Sequence, residues 1–221
     1  MKTCLVIGAG PGIGMATAER FAAAGYHVVL AARNIARLQQ AVASLQSRGY
    51  SAAPAQLDAA NPHAVASLVR SLGSGLRVLH YNAGILHYDA DGSLQARPIE
   101  SESVDSMIAD AHINTVSAMA AIQAALPALA GQPGASILLT GGGLGVHPSA
   151  DFLTLSVGKA ALRAVALALF EPLQRRGVHI ATVTVSRLVS PDSPQTADIA
   201  AAFWLLHAQA QGEWTVETVY A

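Results

Sequence analysis

Cysteine occurs once, at Cys4, so the chain cannot close an intramolecular disulfide, and the residue reads as a small buried apolar side chain in the run TCLVIG. Charge is scarce as well. Only 12% of residues are Asp, Glu, Lys or Arg, and a formal net charge of −1 offers no basic face from which phosphate counterions could be displaced. Nucleic acid is therefore not an expected partner. Apolar residues make up 52% of the 221, yet no run of about eighteen escapes interruption by Gly, Pro or a polar side chain, so a membrane span is not expected. The start MKTCLVIGAG loosely resembles a signal peptide, but Gly8 and Gly10 break its apolar run, and the expected location is the cytoplasm. Eight histidines are scattered without cysteine pairs or zinc-like spacing, which points to no metal site. A linker rich in Pro, Gly or Ser is missing too, and the length suits one domain spanning 1–221.

What is present is a rhythm. Short β-rich runs (TCLVIG, HVVLAA, SAAPAQL, LRVLHYN, ASILLT, VHIATVTV, WTVETVY) alternate with segments of helical period at about 12–24, 35–48, 62–72, 101–129, 150–175 and 197–209. The strand runs are continuously apolar instead of alternating, as required of strands covered by helices on both faces. The expected architecture is α/β: a three-layer, doubly wound Rossmann fold around a parallel seven-stranded sheet. The polar stretch from His87 to Ser103 reads as a surface loop leading into a helix.

Between the first strand and the first helix stands GAGPGIG, Gly8 to Gly14. A G-x-G-x-x-G pattern would need a third glycine at Ile13; G-x-x-x-G-x-G fits, through Gly8, Gly12 and Gly14. Glycines here let the backbone turn tightly and approach a pyrophosphate, whose charge is favoured by the free N–H groups that open the helix at Ile13.

This turn, together with YNAG at Tyr81–Gly84, Asn114 after Ile113, and Lys159 in the long apolar helix, resembles the short-chain dehydrogenase/reductase family along nearly the whole chain. The resemblance implies strand order 3-2-1-4-5-6-7, a nicotinamide cofactor, and a homodimer or homotetramer built on the two long helices. It assigns Asp58, at the end of QLD, to the adenine, and Asn82, Ala83 and Gly84 to the cofactor cleft. At the end of the second strand, LAARN puts Ala32 where an NAD-preferring relative would carry an acid, with Arg33 and Asn34 following. A guanidinium holds a 2′-phosphate that a carboxylate would repel, so NADP(H) is preferred, with NAD(H) left open and Arg33 as a merely solvated charge the competing reading.

The reacting end departs from the family. There the resemblance implies a serine, a tyrosine that protonates the substrate oxygen, a lysine that holds the ribose and lowers the tyrosine pKa, and an asparagine behind them. Lys159 and Asn114 are in place, but the tyrosine position is Leu155 and the serine position Gly142. Losing a general acid costs about 10²- to 10⁴-fold in rate. His147, in GVHPSADF, is the candidate replacement donor, set against a loop histidine without chemistry; Thr140, Ser149 and Ser156 offer weaker hydroxyls, and Tyr81 reads as packing. After the sixth strand, Ser186 and Arg187 replace the family's Pro-Gly, and so few residues precede the next helix that a substrate lid is nearly gone. Two functions remain open: an atypical oxidoreductase acting on a carbonyl, alcohol or imine-like small molecule, and a non-catalytic dinucleotide-binding sensor or partner subunit. The reacting end is expected to be apolar.

Overall fold

The computed structural model describes residues 1–91, 93–191 and 193–221. Its strands are β1 (Thr3–Ile7), β2 (His27–Ala32), β3 (Ala52–Gln56), β4 (Leu76–Tyr81), β5 (Ala135–Gly142), β6 (Val178–Val185) and β7 (Glu217–Tyr220). They form one seven-stranded sheet in the order β3-β2-β1-β4-β5-β6-β7, and every neighbouring pair is parallel. The helices are α1 (Ile13–Ala23), α2 (Ile35–Ser47), α3 (Pro62–Ser71), α4 (Val104–Ala111), α5 (Ser117–Leu129), α6 (Leu153–Gln174) and α7 (Pro194–Ala208).

The unbroken apolar strand runs have their cause in two covered faces. Along β1, Leu5 and Ile7 enter a core with Ile122 and Ala125 of α5 and Leu162 of α6, while Cys4 and Val6 enter another with Phe21 of α1, Leu38 of α2 and Phe203 of α7. All four β1 side chains are fully buried. Burial also pushes the Cys4 thiol up, so it stays a protonated packing group.

Local signals place the helix starts. Asn34 accepts from the Arg37 N–H at 3.0 Å, Asn61 from Ala64 N–H at 3.0 Å with Pro62 at the first turn, and Ser103 from Ser106 N–H at 3.2 Å. The helix expected over about 101–129 is interrupted once: a π-helical turn, His112–Val116, separates α4 from α5. Tyr81, fully buried at the end of β4, donates its hydroxyl to the Ile113 carbonyl inside that turn. Helix α6 is long and apolar enough to cross a membrane by length and composition; here Leu162, Ala166 and Leu173 pack on the sheet while Val157 and Leu167 face outward.

Strand order reverses beside β1, which pairs with β2 on one side and β4 on the other. A crevice opens beyond the carboxyl ends of these strands, where doubly wound sheets bind their ligands. The Phe203 ring, fully buried under the sheet and 4.5 Å from the His80 ring, anchors α7 to this scaffold. Replacing Phe203 by Ala is expected to lower unfolding stability by about 3–5 kcal/mol, read as a shift of the urea midpoint at unchanged m-value.

Candidate active site

The glycine turn is built by close approach. Gly8 has φ +88°, and a Cβ there would lie 2.5 Å from the Ala83 nitrogen, so β1 and the segment after β4 can touch only because position 8 lacks a side chain. Asn82 locks the contact: its Nδ2 donates to the Gly8 carbonyl at 2.8 Å, and its Oδ1 accepts from Thr140 Oγ1 at 2.8 Å. Gly12, φ +101°, opens α1 with no side-chain cap and no acid in the first turn, leaving the helix N–H groups and their partial positive charge turned to the crevice.

A cleft of about 870 Å³ runs from this turn to the start of α6. Among the residues singled out from the sequence, Gly8, Gly12, Ile13, Arg33, Asp58, Asn82, Ala83, Gly84, His147 and Lys159 line it. Tyr81, Ser149 and Ser156 do not, nor do Gly14, Asn34 and Asn114. Gly14 lets α1 sit against β1, since a Cβ would come 2.4 Å from the Gly8 carbonyl oxygen. The Asn34 side chain is spent on capping α2. Asn114 lies buried in the π-turn, its Oδ1 accepting from the Ile85 N–H at 2.9 Å and fixing where the chain leaves β4.

Lys159 projects from α6 with its stem against Gly142, where a Cβ would come 3.1 Å from the lysine Cγ. Its ammonium donates to the Thr140 carbonyl at 2.7 Å. Burial lowers its pKa from the ordinary 10.5 to about 8, because desolvation disfavours the charged form. Burial holds the His80 imidazole neutral, with a pKa near 3; because the Thr140 hydroxyl gives its one hydrogen to Asn82, it accepts from His80 Nε2 at 3.0 Å.

These features coincide with a family. Residues 2–193 match the short chain dehydrogenase model. The chain belongs to that family. Similar curated relatives include the 2,5-dichloro-2,5-cyclohexadiene-1,4-diol dehydrogenase LinX of Sphingobium indicum, 28% identical over 86% of this chain and 74% of that one. The 3-oxoacyl-[acyl-carrier-protein] reductase of Homo sapiens is 26% identical over 82% and 73%. Among solved structures, a short-chain dehydrogenase from Rhodopseudomonas palustris has a TM-score of 0.87 at 25% identity, covering 100% of this chain and 98% of that one. One from Burkholderia cenocepacia J2315 in complex with NADP has 0.85 at 26% identity, covering 99% and 95%. The Rossmann fold of short-chain dehydrogenases is thus established for this chain, and the notable feature is what this short-chain dehydrogenase places near Lys159.

Leu155 and Phe152 line the cleft and supply the apolar surface expected from the sequence, but the same cleft also carries polar groups that the sequence did not single out. His87 lines it, with Nε2 3.2 and 3.3 Å from the two carboxylate oxygens of Asp110, whose side chain is 1% exposed. Thr154, adjacent to Leu155, donates to the same carboxylate at 2.7 Å. His147 is exposed on the wall, with no side-chain partner among the described residues.

The stretch from His87, a largely exposed loop leading into α4 as expected, also forms cleft wall: Tyr88, Leu94, Gln95 and Arg97 all line the site, and Arg97 is bridged to Phe152 and ion-paired with Glu102 at 2.8 Å. The link after β6 is short, as expected. Ser186 to Val189 join the lining, while Pro191 lies 3.7 Å from where a Gly12 Cβ would be, so the link folds back toward the glycine turn.

The lowered Lys159 pKa makes a stability prediction. Between about pH 8 and pH 10.5 the unfolded chain keeps a proton that folded Lys159 has released, so this group's contribution rises with pH across that window and is flat below it. Urea midpoints measured from about pH 7 to about pH 11 should show this rise in the wild type relative to Lys159→Met.

Proposed function

We propose that this short-chain dehydrogenase binds NADP(H) and moves hydride to or from a small-molecule carbonyl, alcohol or imine-like group, using a proton donor other than the family's tyrosine. The observation that carries the reading is one continuous cleft, about 870 Å³, in which the glycine turn and Lys159 are both exposed to the same space. Volume and lining suit a dinucleotide with a small acceptor beside it.

The chain's groups fit the cofactor. Gly8 and Gly12 provide backbone that comes close only without side chains, and the uncapped, acid-free start of α1 suits a pyrophosphate. Arg33 stands at the exit of β2 and Ala32 leaves no carboxylate to repel a 2′-phosphate, which supports NADP(H) over NAD(H). Asp58, on the cleft wall with Oδ1 accepting from the Ala60 N–H at 3.0 Å, would serve the adenine side. Lys159 would hold the nicotinamide ribose, with Asn114 fixing the segment at Ile85 opposite it. When bound, the nicotinamide supplies or accepts the hydride. The names of the relatives, a cyclic diol dehydrogenase and an oxoacyl reductase, support the alcohol–carbonyl class.

A second reading, a non-catalytic dinucleotide-binding sensor or partner subunit, is favoured by Leu155, since a hydrocarbon donates no proton at the position next to the lysine's turn. Calorimetric titration with NADPH followed by hydride-transfer assays on aldehydes, ketones and imines separates the two. Turnover establishes the enzyme; tight binding without turnover, unchanged when Tyr is restored at 155 and Ser at 142, establishes the sensor.

Removing the Arg33 guanidinium loses charge-assisted contacts of about 1.5–3 kcal/mol, so Arg33→Ala should weaken NADPH binding about 10- to 100-fold and leave NADH affinity nearly unchanged. Equal weakening of both coenzymes would remove the argument for NADP(H).

A homodimer or homotetramer through the long helices is part of the same proposal. Val116 and Met119 at the π-turn and α5, and Val157 and Leu167 on α6, leave an apolar outer surface of the kind that marks association. Light scattering should find an oligomer that Met119→Arg with Leu167→Arg reduces in mass; an unchanged mass would place the interface elsewhere.

A further inference from the structure

We infer that His87, held by Asp110, is the proton donor that takes over from the missing tyrosine; this rests on the oxidoreductase reading above. The side chains come from three separate segments. His87 lies in the wall after β4, Asp110 at the end of α4, and Thr154 in the first turn of α6. Asp110 is a carboxylate with 1% of its side chain exposed, and a charge buried in this way needs partners. It has two: the Thr154 hydroxyl at 2.7 Å and His87 Nε2 at 3.2 and 3.3 Å.

A carboxylate only accepts, so the contact puts a proton on Nε2 and fixes the ring in one orientation. Nδ1 has no hydrogen-bond partner among the described residues, on a side chain that is 28% exposed and lines the cleft. An imidazole oriented by a buried acid through one nitrogen and open at the other is the arrangement that general acid–base catalysis requires.

Its place relative to the lysine follows from two contacts. A Cβ on Gly84 would lie 3.5 Å from Lys159 Nζ, so the segment that carries His87 starts beside the lysine. At its other side the pair is bonded to Thr154, the neighbour of Leu155. His87 and Leu155, which stands at the position of the missing tyrosine, line the same cleft. His147 shares the cleft but lacks any orienting partner among the described residues, and Arg97 is already neutralised by Glu102 at 2.8 Å. Asp151 and Lys159 are the other charged groups on this part of the wall.

In the reduction, the acceptor carbon gains the hydride supplied by the reduced nicotinamide and the C=O π bond opens onto oxygen. The oxygen takes the proton from Nδ1 of the imidazolium. His87 ends neutral, still hydrogen-bonded through Nε2–H to Asp110, and the reverse sequence oxidises an alcohol with His87 as base. Asp110 and Thr154 act as positioning residues.

The test joins a spectroscopic reading of the ligand-free protein to turnover. In imidazole 15N spectra, with His87→Gln identifying the resonances, the expected result is an Nε2-protonated ring in the wild type that becomes tautomerically averaged in Asp110→Ala. With NADPH and the fastest of an aryl aldehyde, a cyclic ketone and a 3-oxo ester, His87→Gln should lower kcat by about 10²-fold or more, a larger loss than His147→Ala causes, while KM for NADPH stays within about threefold. An averaged His87 ring in the wild type overturns the proposal. So does wild-type kcat retained in His87→Gln, an outcome that leaves the oxidoreductase reading standing. Tight NADPH binding with no turnover of any acceptor by the wild type overturns that reading and the proposal together.

Discussion

A single directional chain of hydrogen bonds ties the ends of three strands together, and the site is arranged around it. Neutral His80 donates to the Thr140 hydroxyl, which donates to Asn82, which donates to the Gly8 carbonyl. The Thr140 carbonyl then takes the Lys159 ammonium. Each member is buried or half-buried, and each buried polar group left without its partner would cost about 1–3 kcal/mol, so the chain holds as a unit. It specifies at once the distance between β1 and β4, the shape of the glycine turn, and the reach of the lysine. Gly8 makes the arrangement sterically feasible, since a Cβ there would overlap the Ala83 backbone.

The two halves of the cleft are supported differently. The cofactor half stands on strand ends and the start of α1, elements packed on both faces of the sheet. The reacting half is built from α6 and from the segment between β4 and α4, which is tied down at Ile85 by Asn114, at His87 by Asp110 and at Arg97 by Glu102 and the Phe152 bridge. The short link after β6 adds Ser186 to Val189 to the same wall. A buried carboxylate such as Asp110 destabilises the fold unless it is satisfied, and His87 and Thr154 supply that satisfaction.

Most of the fold was legible before the structure. Continuous apolar runs such as TCLVIG and ASILLT encode strands covered on both faces, while the capping roles of Asn34, Asn61 and Ser103 emerged with the structure. The glycine spacing, Arg33, Asp58 and Lys159 were equally readable, since each depends on residue type at a fixed offset from a strand or helix end. His87 was not. It sits in a polar stretch with no periodicity, and Asp110 looks like one more charge on a helix; only their meeting, 23 residues apart, gives either a role.

The inward duties of Gly14, Asn34 and Asn114 show the same limit from the other side. Their positions in the pattern are read from the sequence, but whether such a residue faces the cleft or the packing behind it depends on what lies across from it. Local sequence, through strand periodicity, capping side chains and the steric freedom of glycine, determined the order and type of the elements and the position of the cofactor turn. Which side chains share the reacting end was decided by the tertiary structure alone, because hydrogen bonds between segments distant in the chain depend on how the helices and the wall pack over the sheet, and no offset in the sequence encodes that distance.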